Sequence, residues 1–188
     1  MKRGIVATLT ALVAALVLAA SGSPYSSPAS VNDVASWLAL RPVTVRCLTP
    51  YETSIDPYIQ VWGALAYVHG TYDRKGRWRP FNYTVFEYGI CEPLTAIQRG
   101  DRVTVRAAAR SILVLTHEAG HLRGHRWASD EARTQCWAMR HFRYTAQRLG
   151  ITNPDDLRQL MSHALALHAG LPGQYHIKCQ LPTPYKGG

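Results

Sequence analysis

The sequence predicts an α+β fold, with a small strand-rich N-terminal half packed on a helical C-terminal half. Three observations predict it. Runs of β-branched and aromatic residues, broken by glycine and proline, follow the N-terminal leader. Long segments with apolar residues at helical spacing fill the second half. Each of those segments is bounded by a polar capping residue and a glycine stop.

The leader is Met1-Lys2-Arg3, an apolar run from Gly4 to Ala20, and the small residues Ser21-Gly22-Ser23. Charged, apolar and small-residue zones in that order are the plan of a secretory signal peptide, expected over residues 1–22. An uncleaved anchor is the alternative, because the apolar run approaches the length of a span. A single domain is expected over 23–188, its strand-rich part at 23–98 and its helical part at 99–188. No second long apolar segment follows, so no membrane partner is expected once the leader is removed.

A short helix is expected over Val31–Leu40, capped by Asn32 or Asp33 and stopped before Pro42. Val43–Cys47 reads as a strand. Tyr58–Tyr67 reads as a second strand or strand pair, with a short helix as the alternative. Gly70–Arg77 is glycine-punctuated and reads as a loop or hairpin turn. Tyr83–Tyr88 reads as a third strand. In the second half, Asp101 is expected to cap a helix running to about Arg123, with Val105, Ala108, Ile112, Leu115 and Leu122 on its apolar face. Ser129 or Asp130 caps the next, to about Leu149, and Asn153-Pro154-Asp155 opens the last, to about Ala169.

Four cysteines, Cys47, Cys91, Cys136 and Cys179, stand behind the expected secretion signal, which favours two disulfides. Three pairings are open. Cys47–Cys91 would staple two strand-like segments, and Cys136–Cys179 would tie the tail to a helix. The net charge of +9 makes an anionic cell-envelope polymer an expected partner, although a solvated basic face is the plainer reading. No recognised nucleic-acid motif is present, so nucleic acid is not an expected partner.

The chemistry is concentrated at His117-Glu118-Ala119-Gly120-His121. On a helix, residues four apart share a face, so both imidazoles can reach one metal ion. Glu118 lies one residue round from His117 and can reach water at the metal without ligating it. That suits zinc-assisted hydrolysis. The motif arises by chance in roughly 1 chain in 100 of this composition, so its context must carry the reading.

A catalytic zinc takes a third protein ligand. Trp127 stands where a metzincin would have its third histidine. His125 would continue the face of His121, but Gly124 is expected to end the helix first. Glu131, at the start of the following helix, is the better candidate, with Asp130 beside it. Tyr144, His141 and His163 are chemically able to assist an oxyanion. His69, His168 and His176 are expected to be structural or exposed, and Trp37, Trp62, Trp127 and Trp137 to be core. Arg77-Trp78-Arg79 is expected in a loop.

The stretch Thr116–Gly124, followed by Asp130-Glu131-Ala132 and Cys136, resembles the active-site segment of gluzincin-type zinc metallopeptidases. It is similar, more closely, to small secreted actinobacterial proteins with an HExxH segment followed by D-E-A and a cysteine. The resemblance covers roughly Arg106 to Arg140. It implies zinc held by His117, His121 and Glu131, with Glu118 as the catalytic base. It also implies a peptide or protein substrate held along a sheet edge. One position departs from the pattern. Many gluzincins carry a carboxylate four residues after the third ligand, and here that residue is Gln135. An amide oxygen can still accept the imidazole N–H, with a smaller effect on ligand basicity.

Overall fold

The computed structural model describes residues 29–124, 128–176 and 179. The expected signal peptide over 1–22, His125 and Trp127 lie outside the described residues. The fold is α+β, with a three-stranded sheet in the N-terminal half and long helices in the C-terminal half.

Helix α1 (Val31–Ala39) opens on a capping box in which Ser30 accepts from the Asp33 N–H and Asp33 accepts from Ser30. Ser30, not Asn32 or Asp33, is therefore the cap. Asn32 instead accepts from the Val45 N–H at 2.8 Å, fixing strand β1 (Thr44–Cys47) beside α1. Two short helices follow that are legible from their caps. Thr49 with Glu52 and Pro50 start α2 (Pro50–Ile55); Asp56 and Pro57 start α3 (Pro57–Trp62), which Gly63 stops at φ +63°. The strand expected from Tyr58 thus begins only at Ala66, because the Asp-Pro start outweighs the β-branched content of Ile59 and Val61.

Strands β2 (Ala66–Tyr72) and β3 (Trp78–Phe86) form an antiparallel hairpin, and β1 joins β3 in parallel, giving the order β1-β3-β2. Gly70 belongs to β2 and not to the loop. Any Cβ there would lie 2.5 Å from the Trp78 ring, so glycine lets Trp78 cross the strand. Trp78 and Arg79 are likewise in β3, and Arg77 and Arg79 both pair with Asp73 to close the hairpin.

Helix α4 (Tyr88–Arg99), which has no counterpart among the elements expected above, buries Ile90, Cys91 and Leu94 despite its internal Pro93. The Cys47–Cys91 disulfide therefore joins a strand to a helix, where two strands were expected. Helix α5 (Val105–Leu122) is capped by Thr104, because Asp101 is paired with Arg99 at 2.7 Å. Helix α6 (Glu131–Arg148) is capped by Asp130, and α7 (Pro154–Ala169) by Asn153. The second disulfide, Cys136–Cys179, ties the tail to α6. Trp62 is 79% exposed and Trp37 is also at the surface, so neither belongs to the core, which instead centres on Phe86, Leu94, Ile112, Leu115, Met139 and Phe142.

Helix α5 is the centre of this core and touches α1, α4, α6, α7 and the sheet. Every residue from Leu115 to Leu122 is buried, so the helix is enclosed on all sides there. Its approach to α6 depends on Gly120. A Cβ at that position would lie 2.8 Å from the Thr134 methyl and 3.0 Å from the Trp137 ring. Arg123, at the end of α5, donates to the Leu38 carbonyl at 3.0 Å and stacks on Trp137. We expect Gly120→Val to force α5 and α6 apart and to lower unfolding free energy by about 1–3 kcal/mol, read by denaturant titration. Unchanged stability would mean that the helices do not meet at this point.

Candidate metal centre

Close packing of α5 on α6 turns His117 and His121 toward the first turn of α6. Their Nε2 atoms are 2.9 Å apart. Glu131 supplies both carboxylate oxygens: Oε2 is 3.0 Å from His117 Nε2, and Oε1 is 3.5 Å from His121 Nε2. His117, His121 and Glu131 form the one such group among the described residues able to hold a metal ion.

The spacing fits a small tetrahedral ion. Donors bonded to zinc at about 2.0–2.1 Å stand roughly 3.3 Å from one another, and the observed separations bracket that distance. The chemistry of the set fits as well: two imidazole nitrogens and a carboxylate converge where both histidines are buried. Each histidine is oriented through its other nitrogen. Nδ1–H of His117 donates to Gln135 Oε1 at 2.9 Å, and Nδ1–H of His121 donates to the Ala128 carbonyl. These bonds leave both Nε2 atoms facing the group.

Without a metal the group is held by its own charges. Burial disfavours a charge on His121, but the bond to Glu131, the charges of Glu118 and Glu131 and the Ala128 carbonyl outweigh it and raise His121 to about 9. Burial acts against the Glu131 carboxylate too, yet its bonds to His117 and His121 hold it well below the ordinary carboxylate range. Glu118 behaves oppositely. Burial raises its pKa, His121 and His117 oppose that, and Glu131 adds to it.

Asp130 is occupied as the α6 cap, accepting from the Arg133 N–H at 2.9 Å. The candidates for oxyanion assistance are not at the group. At 1.5 Å per residue, His141 and Tyr144 stand about 15 and 20 Å along α6 from Glu131. His141 also stacks on Trp137 and donates to its carbonyl, and Tyr144 is 60% exposed. His163 is exposed on α7. His168 is buried and meets Gln135, so of the two expectations for it the structural one applies and the exposed one does not.

Tyr175, overlooked in the sequence, is the aromatic hydroxyl beside the group. It lies in the short 3₁₀ turn α8 (Gly173–Tyr175), its ring 6.0 Å from the His117 ring. The pairing of Cys179 with Cys136 draws this segment across α6. Tyr175 stands four positions before that cysteine, so the disulfide was the signal that could have found it. A groove of about 1320 Å³ between the ends of α4, α6 and α7 shares no residue with the group. Its lining carries no histidine or paired carboxylates suited to this chemistry, and the tight cluster of donors marks the site better than its volume does.

The charge balance predicts a pH dependence of the metal-free protein. The folded pKa of His121 lies above its ordinary value of 6.5. Its contribution to stability is therefore complete below about pH 6.5 and is lost as the pH rises through about 9. Glu131 is shifted down from 4.5, so its contribution is present above that pH and is lost in acid. Thermal unfolding of chelator-treated protein is expected to fall by several degrees between pH 6.5 and pH 9, and His121→Gln is expected to remove that slope. A flat wild-type profile would contradict the ion pair.

Comparison of the chain with protein-family models, with curated proteins and with solved structures gave no match.

Proposed function

We propose that the chain is a secreted zinc-dependent hydrolase that cleaves peptide or other amide bonds. Zinc would be held by His117, His121 and Glu131. The observation that carries this reading is a converging set of three ligands next to a buried carboxyl, Glu118, outside the set. The two disulfides support an extracellular setting.

A bound zinc ion would supply Lewis acidity toward the substrate carbonyl and make water at the site more acidic. Glu118 takes the proton from the attacking water as the new C–O bond forms. It then hands that proton to the leaving nitrogen as the C–N bond breaks. A carboxyl with a raised pKa suits both halves of this transfer. Tyr175 is the hydroxyl we assign to the developing oxyanion. Burial, with the charge of Glu131, raises its pKa and keeps it protonated. Gln135 and the Ala128 carbonyl hold the imidazoles with Nε2 toward the ion.

Gln135 also favours a second reading, a zinc site that serves stability without appreciable turnover. A neutral amide makes His117 a weaker base than a carboxylate partner would.

Purified wild type is expected to carry one zinc per chain, and His117→Ala and Glu131→Ala to carry little. Full zinc retention in Glu131→Ala would remove Glu131 from the ligand set. Glu118→Gln separates the two readings. In a hydrolase it keeps zinc and loses about 10²–10⁴-fold in turnover of a quenched-fluorescent peptide library. No turnover by zinc-loaded wild type would favour the stability reading. Tyr175→Phe is expected to lower kcat by about 10²-fold with little change in KM. An equal loss in KM alone would make Tyr175 a binding residue.

A further inference from the structure

Gln135 poses a problem that a carboxylate would not. A carboxylate can accept with either oxygen, whereas an amide has one accepting end and one donating end. For His117 to offer Nε2, its Nδ1 must carry the proton and find an acceptor. The amide must therefore present Oε1 to His117, and some group has to hold it that way round. Gln135 is 2% exposed, which shields it from bulk water.

We propose that His168 is a positioning residue for the metal group: it accepts from the Gln135 amide, fixes Oε1 toward His117, and so keeps the proton on His117 Nδ1. The three residues form a chain. Nδ1–H of His117 donates to Gln135 Oε1 at 2.9 Å, and Gln135 Nε2–H donates to His168 Nδ1 at 3.5 Å. His168 comes from the last turn of α7 and is buried. Its ring is 5.0 Å from that of His176, which is itself anchored by a 2.8 Å bond to the Leu171 carbonyl. Burial, then the neighbouring His176, lowers the pKa of His168, which favours the neutral ring with a lone pair to offer.

The reversed amide is disfavoured at both ends. Its NH₂ would face the N–H of His117, donor against donor, and its oxygen would face the His168 lone pair. Correcting the first contact would require moving the proton of His117 to Nε2, the atom the metal group needs free, and correcting the second would require moving that of His168 to Nδ1. Thus a residue on α7, which touches no ligand, selects the tautomer of a ligand on α5.

The first test needs no metal. In chelated wild type, nitrogen-15 NMR of the imidazoles is expected to find His117 protonated at Nδ1, with that proton in slow exchange. His168→Leu is expected to lose the slow exchange, and His168→Asn, which restores an acceptor, to recover it. An unprotonated His117 Nδ1 in wild type overturns the proposal whether or not any variant folds. The second test rests on the zinc reading above. His168→Leu is expected to weaken zinc binding about tenfold in competition titration, and to have no effect in the Gln135→Glu background, where no amide needs orienting. Equal losses in the two backgrounds, or none in either, overturn it. Should wild type bind no zinc but keep the Nδ1 proton, the functional reading fails and this one stands.

Discussion

The close approach of α5 and α6 at Gly120 is the constraint on which the rest of the site depends. No side chain fits between Gly120 and the Thr134–Trp137 face. Because the helices meet there, the first turn of α6 lies against the last turn of α5, and Glu131 reaches both imidazoles. The same contact places Gln135, one turn after Glu131, at the far nitrogen of His117. The residue between the two histidine positions that looks least chemical is thus the one that sets their geometry.

Enclosing this group has an electrostatic cost that its members offset among themselves. His117, Glu118 and His121 are all buried on one turn of one helix. A lone buried charge is strongly disfavoured, so such groups survive only when paired. His121 and Glu131 stabilise each other's charged forms, while burial pushes Glu118 toward its neutral form. Two carboxyls within one group are thereby driven in opposite directions, one toward permanent charge and the other toward proton exchange. That division is what a ligand and a general base respectively require.

Much of this was legible in the sequence. The spacing of His117 and His121, the break at Gly124, and Asp130 as a cap followed by Glu131 all follow from local rules. Gly124 does adopt the left-handed conformation, at φ +66°. The disulfide pairing favoured by the sequence is the one observed. The misread elements share a cause. In α2, α3 and α4, short length, internal proline or β-branched content hid a helix that side-chain capping, in α2 and α3, or burial, in α4, stabilises. Trp78 and Gly70 were assigned to a loop because their fit across the hairpin is not a local property.

The sequence by itself determined the α+β class, the two histidines on one helical face, and a glutamate in the first turn of the next helix. These are consequences of helical period and capping chemistry, which act between near neighbours. Tertiary structure decided what surrounds them. It brought Tyr175 to His117 through the tail disulfide and set His168 from α7 against Gln135. It also left Tyr144, His141 and His163 away from the group. The reason is physical: which side chains meet across helices depends on close packing and on a covalent link between residues 136 and 179, and neither leaves a periodic trace in the chain.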